Sequence, residues 1–228
     1  MSACQPSFDI EARLIFKSGW VASGAFGQDT IAAARSIAPD GGLTGFGHSM
    51  GAAALLIAAH QAPGLFDRLV LFEPIAYPPA ALTPADMEAS PLVQGARRRR
   101  LRFDSLDDAY ANYKSKPPMS AMTTESLRLY VDHGFRSVEA GVELRCAPDF
   151  EAETFLGSRT NGVWELLPDI TTNTTVVSGA VDQLQPSGIA ERIADMLPNG
   201  RFIEKPHLDH FGPFTHPRDL ATLIRSES

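Results

Sequence analysis

The chain alternates short, continuous apolar runs with longer stretches of helical periodicity. Residues 26–37 (FGQDTIAAARSI) space alanine and isoleucine three and four apart, which predicts a helix. Pro39-Asp40-Gly41-Gly42 then breaks it as a turn, and residues 43–47 predict a short strand. Residues 49–60 (SMGAAALLIAAH) are helical in pattern and apolar on almost every side, so that helix is expected inside the protein. Pro63-Gly64 ends it. Residues 68–72 (RLVLF) predict a buried strand, closed by Glu73-Pro74. The same rhythm returns with strands at 174–178 and 201–204 and helices at 187–196 and 217–224. Near the start, residues 8–16 (FDIEARLIF) predict one further strand. Strand and helix in alternation predict an α/β fold with a mostly parallel sheet.

Between these blocks the pattern changes. Residues 75–168 carry more charge and proline and break into shorter amphipathic segments, with helices expected at 84–103, 106–114, 124–133 and 150–156 and a brief strand at 142–146. The organisation expected is therefore a core of residues 1–74 and 169–228 with a helical lid, 75–168, inserted above it. The run Arg97-Arg98-Arg99-Arg100 points in several directions from a helix, so a solvated surface is expected, with a contact to a substrate carboxylate as the functional alternative. Met87, Phe103, Met119, Met122, Phe135, Phe155 and Trp164 give the insertion an apolar side, suited to anchoring it or to lining a pocket.

Composition narrows the class of partner. At 228 residues the chain is long enough for one sizeable core, and 44% hydrophobic with 21% charged residues is the usual balance of a globular protein. A net charge of −7 and a pI near 5.3 argue against nucleic acid and anionic membrane as partners and leave a small-molecule substrate. No apolar run approaches the roughly 18 residues of a membrane span. Cys4 and Cys146 lie far apart without metal-type spacing, and the N-terminus lacks the apolar stretch of a secretory signal. Reduced thiols and a cytoplasmic location are the expectation; the oligomeric state is not readable.

Candidate chemistry centres on Gly47-His48-Ser49-Met50-Gly51, a G-x-S-x-G pattern. The pattern alone is common, but here an apolar strand leads in and an apolar helix leads out. That context predicts a sharp strand-to-helix turn presenting Ser49 as a nucleophile beside the free N–H groups of a helix start. Serine needs a positioned base. Among six histidines, His48 sits inside the turn with its side chain expected to point away from Ser49, while His60, His133 and His216 fall in or beside helices. His207 and His210 share a loop after the last strand (PHLDHFGP). His210 is the expected base and His207 the alternative. A metal site built on His207, Asp209 and His210 lacks the helical spacing of a zinc hydrolase, so no metal is expected. For the carboxylate that orients the histidine, Asp182 follows strand 174–178 at its carboxyl end, and Glu73 follows strand 68–72 on the same edge. Asp182 is preferred and Glu73 is the alternative, its structural reading being a carboxylate beside Pro74.

From about Phe26 onward, GHSMGAAALL, RLVLFEP, SGAVDQ and DHFGPF resemble the α/β-hydrolase superfamily, in particular small cofactor-independent esterases and haloperoxidase-like or toxin-biosynthesis-type hydrolases. The loop Phe-Gly-Pro after His210 resembles the one that presents the base in this fold. The resemblance implies a cap over the pocket and an acyl-enzyme mechanism without cofactor, in the order Ser49, Asp182, His210, with the backbone N–H of Met50 in the oxyanion hole. A carboxylic-ester hydrolase is the first expectation. The same triad also serves C–C hydrolases, lactonases and perhydrolases. The family pattern places four strands before the nucleophile strand, whereas 48 residues precede Ser49 here and one βαβ unit takes about 30. A core lacking several N-terminal strands is therefore expected, with an incomplete oxyanion hole. An impaired or non-catalytic α/β-hydrolase-like fragment is the corresponding alternative.

Overall fold

Two sheets organise the chain, as seen in a computed structural model that describes residues 24–79, 84–158, 161–182 and 185–226. The strand expected at 8–16 and Cys4 lie outside the described residues. The larger sheet is wholly parallel, with strands β1 (Leu43–His48), β2 (Phe66–Phe72), β6 (Asn173–Ser178) and β7 (Gly200–Glu204) side by side in that order. Its helices are α1 (Gly24–Ile37), α2 (Met50–Gln61), α9 (Ser187–Met196) and, after the single turn α10 (Gly212–Thr215), α11 (Pro217–Ser226). The α/β fold class and all four strands follow the expectation from the apolar runs.

The central strand β2 ends in an unbroken apolar run, Leu69 to Phe72, because it is buried on both faces. Leu69 and Leu71 of β2 pack with Val176 of β6 against Leu56, Ile31 and Ile193 of the helices on one face. The alternate residues Val70 and Phe72 face Val177, Leu208, Leu220 and Leu223 on the other. Helix α2 shows no polar side for the same reason: Ala52 through Ala59 are all buried. Among the described residues β1 has a strand neighbour only on its β2 side, and Phe46 is exposed there.

The insertion between β2 and β6 holds more strand than the one brief segment expected within its helices. It holds helices α3 (Pro84–Glu88), α4 (Pro91–Arg97), α5 (Leu106–Lys114), α6 (Thr124–Gly134), α7 (Pro148–Gly157) and α8 (Val163–Leu166). It also holds an antiparallel sheet of β3 (Arg102–Phe103), β5 (Gly141–Leu144) and β4 (Phe135–Val138). The long helix expected at 84–103 is divided because Ser90 caps a new start, its Oγ accepting from the Val93 N–H at 3.2 Å, with Pro91 in the first turn. Strand β5 meets the brief strand expected at 142–146, whereas β3 and β4, two and four residues long, escape a periodicity reading. Phe135, Val142 and Leu144 turn inward to an aromatic and aliphatic cluster with Phe103, Leu127 and Val131. On the other side Glu143 sits between its cross-strand partners Arg102 and Arg136, bonded to each at 2.6 Å.

Nor are the four arginines a uniformly solvated run. Arg97 bonds Glu88 at 3.0 Å, Arg99 reaches Glu151, Tyr113 and Tyr130, and Arg100 lies over the Phe103 ring. They tie α4 and the segment after it to the rest of the insertion.

The close approach of α2 to β1 depends on Gly47. A Cβ there would stand 2.6 Å from the Ala52 Cα and 2.8 Å from its nitrogen, so the backbone itself would have to shift. Gly47→Ala is expected to destabilise the protein by about 1–3 kcal/mol, measured by urea unfolding, whereas Gly51→Ala, with open space around it, is expected to stay within about 0.5 kcal/mol.

Candidate active site

Strand register decides which groups meet. His48 pairs with Phe72, and Phe72 pairs with Val177, so the next residues along, Ser49, Glu73 and Ser178, come in line at the carboxyl edge of three adjacent strands. Hydrogen bonds carry the ladder past the strand ends: Ser49 N–H to Phe72 O at 3.0 Å and Glu73 N–H to Val177 O at 2.8 Å. Ser49 and Glu73 are also the two non-glycine residues with positive φ among the described residues, at 56° and 46°. Such conformations cost on the order of 1–3 kcal/mol each and persist where neighbours enforce them, often at functional sites.

His210 closes the arrangement. Its Nε2 lies 3.2 Å from Ser49 Oγ, and its Nδ1 lies 2.5 Å from Glu73 Oε2. A carboxylate only accepts, so Nδ1 carries the proton and Nε2 offers its lone pair to the serine hydroxyl. Glu73 is 1% exposed, and its other oxygen, Oε1, accepts the Gly179 N–H at 2.8 Å. Both oxygens of this buried carboxylate are therefore bonded, as burial of such a group requires.

Of the two candidate carboxylates, the structure brings Glu73, the alternative, to His210. Both ring nitrogens of His210 are taken up by Ser49 and Glu73, so the preferred Asp182 is not the carboxylate that meets the histidine. Asp182 is exposed, four residues beyond the end of β6, and its backbone N–H bonds Ser187 Oγ at 3.0 Å. The end of β6 contributes Gly179 instead. A Cβ on Gly179 would stand 2.4 Å from the Leu208 carbonyl oxygen, and this close contact lets the strand end touch the loop that carries His210. The Ala180 N–H bonds that same carbonyl at 2.9 Å. His207, the alternative base, is turned to the surface, where its Nε2 meets Asp219 at 2.9 Å.

Two further features stand at the serine. Met50 is the first residue of α2, so its N–H has no intrahelical acceptor and points from the helix start beside Ser49. His48, expected to point away from the site, instead lies against the base: its Nε2 is 2.8 Å from the His210 carbonyl oxygen, and the two rings are 4.7 Å apart. Phe72 and Phe214 complete its surroundings. Sequence reasoning missed this role because only the fold brings residues 48 and 210 together.

The insertion reaches the same loop. Phe211 and Phe214 pack on its apolar cluster, and the Thr123 N–H bonds the Phe214 carbonyl at 3.1 Å. A surface depression lined by Asp67, Arg68, Asn173, Thr175, Asn199 and Arg201 lies at the opposite, amino-terminal end of the strands and is remote from this constellation. Among the described residues no helix is long and apolar enough to cross a membrane.

Burial, reinforced by the positive charge that His210 can carry, lowers the pKa of His48 from 6.5 to about 4, against the raising effect of its bond to the His210 carbonyl. The unfolded chain therefore binds a proton that folded His48 refuses between these values. Stability is full above about pH 6.5 and falls as pH drops towards 4, by up to roughly 3 kcal/mol from this group. Urea unfolding at a series of pH values is expected to show this acid loss in the parent and a shallower one in His48→Gln.

Comparison with known proteins agrees with the fold just described. A model of the alpha/beta hydrolase family matches residues 15–223. No curated protein matches the chain significantly. Among solved structures, E-2-(acetamidomethylene)succinate hydrolase is similar with a TM-score of 0.72 and 19% identity, over 90% of this chain and 73% of that one. A peroxisomal alpha-beta-hydrolase from Saccharomyces cerevisiae gives 0.69 at 18% identity over 88% of this chain and 59% of that one. The thioesterase domain from the curacin biosynthetic pathway gives 0.67 at 18% identity, over 90% and 73%. With the family model spanning most of its length, the chain belongs to the alpha/beta hydrolase family.

Proposed function

We propose that this protein is a serine hydrolase that cleaves an ester-like bond in a small molecule, with Ser49 as nucleophile, His210 as general base and acid, and Glu73 as the orienting carboxylate. The observation that carries the reading is the continuous relay from Ser49 Oγ through both nitrogens of His210 to Glu73.

In the proposed mechanism Ser49 Oγ attacks the substrate carbonyl carbon while His210 Nε2 takes the hydroxyl proton. The carbonyl electron pair moves to oxygen, and the Met50 N–H at the start of α2 is placed to donate to that oxyanion. Glu73 accepts from Nδ1 throughout and stabilises the imidazolium as it forms. When the tetrahedral intermediate collapses, Nε2 returns the proton to the departing oxygen, leaving an acyl-serine. Water then repeats the sequence, giving up a proton to Nε2, and releases the acid and free Ser49. The insertion acts as the cap in this reading. Phe211 and Phe214 join it to the base loop, which suits a substrate with an apolar acyl or alcohol part.

Fluorophosphonate labelling of the purified protein tests the assignment. The parent is expected to label, and Ser49→Ala to abolish labelling. Glu73→Gln is expected to slow it by roughly 10³–10⁴-fold, because the amide permits the wrong histidine tautomer. Asp182→Asn is expected to stay within about twofold, as for an ordinary surface change. A folded parent that resists the probe would refute the hydrolase reading, and a large loss confined to Asp182→Asn would return the acid role to that residue.

A further inference from the structure

Building on the proposed Ser49–His210–Glu73 relay, we propose that His48 is a positioning residue that clamps the base loop, its ring N–H holding the backbone carbonyl of His210.

The geometry is specific about direction. A carbonyl oxygen only accepts, so the 2.8 Å contact requires the proton of His48 on Nε2. His48 is the last residue of β1 and is fixed by that strand's pairing with Phe72, whereas His210 lies in a loop after β7. The bond therefore ties the base, across 162 positions of sequence, to the strand that delivers the nucleophile. Few other bonds do this. The loop is also held by Ala180 N–H to Leu208 O, by Gly212 N–H to Asp209 O and by Phe211 N–H to Asp209 Oδ1; the last restrains the N–H of the His210–Phe211 peptide from within the loop, and none of the three reaches β1. His48 fixes that peptide, and with it the direction in which the imidazole leaves the backbone.

The surroundings keep His48 uncharged, which the role requires. Phe72 and Phe214 flank the ring, and His210 is the titratable group that faces it. A positive charge on His48, 4.7 Å from the ring of His210, would oppose the imidazolium that forms during each acyl transfer. With its pKa lowered to about 4, His48 donates the bond without imposing that charge near neutral pH.

Two substitutions separate clamping from packing. His48→Phe keeps an aromatic ring between Phe72 and Phe214 but removes the donor. His48→Gln keeps a donor but removes the ring. The clamp predicts that fluorophosphonate labelling slows roughly 10–100-fold in His48→Phe, as expected for a misplaced catalytic group, and that His48→Gln recovers most of the rate. A parental rate in His48→Phe, or an equal loss in both, would overturn it. A second measurement needs neither a reactive serine nor a folded His48→Phe protein. Nitrogen-15 NMR of histidine-labelled Ser49→Ala protein should show His48 as a single Nε2–H tautomer near neutral pH. Mixed tautomers would overturn the clamp. If the parent fails to label, the serine-hydrolase reading falls, while the NMR result still decides whether the bond exists.

Discussion

The site depends on one buried carboxylate held from two sides. Glu73 receives the Gly179 N–H on one oxygen and His210 Nδ1 on the other, and it is almost completely removed from water. A carboxylate in that position is costly unless bonded, so the arrangement is selective: the end of β6 and the base loop must both arrive in place. Removing either partner would leave a buried acceptor unpaired, at a cost of about 1–3 kcal/mol or more. The bond that satisfies one oxygen of Glu73 also fixes the tautomer and direction of His210.

Parallel register makes this possible with short side chains. Because β1, β2 and β6 end in line, a serine and a glutamate one residue past the paired positions, and a glycine two past, lie on one edge within reach of one loop. The price is local strain, shown by the positive φ of Ser49 and Glu73. Neighbouring ladder bonds and the tight contact at Gly47 resist its release. The insertion then meets the base loop through Phe211, Phe214 and the Thr123 N–H, so the two sheets share the segment that carries His210.

Much of this was legible in the residues. The apolar run RLVLF announced a buried strand, and the apolar α2 that begins within Gly47-His48-Ser49-Met50-Gly51 announced the turn at the serine. His210 was separable from His207 by the loop that follows it. Which carboxylate meets His210 was not separable, because the edge argument that favoured Asp182 applies equally to Glu73. Burial distinguishes them, and a charged residue immediately after the wholly apolar RLVLF was the available sign. Strands β3 and β4 are too short to show a period, and the meeting of His48 with His210 joins residues far apart in sequence, which local pattern does not encode.

The most direct test of the central claim is proton NMR of His210. A short bond from Nδ1–H to a buried carboxylate moves that proton far downfield and protects it from exchange with water. The Glu73–His210 bond predicts such a resonance in the parent protein, its loss in Glu73→Gln and its persistence in Asp182→Asn. A resonance that survives Glu73→Gln and disappears in Asp182→Asn would contradict it.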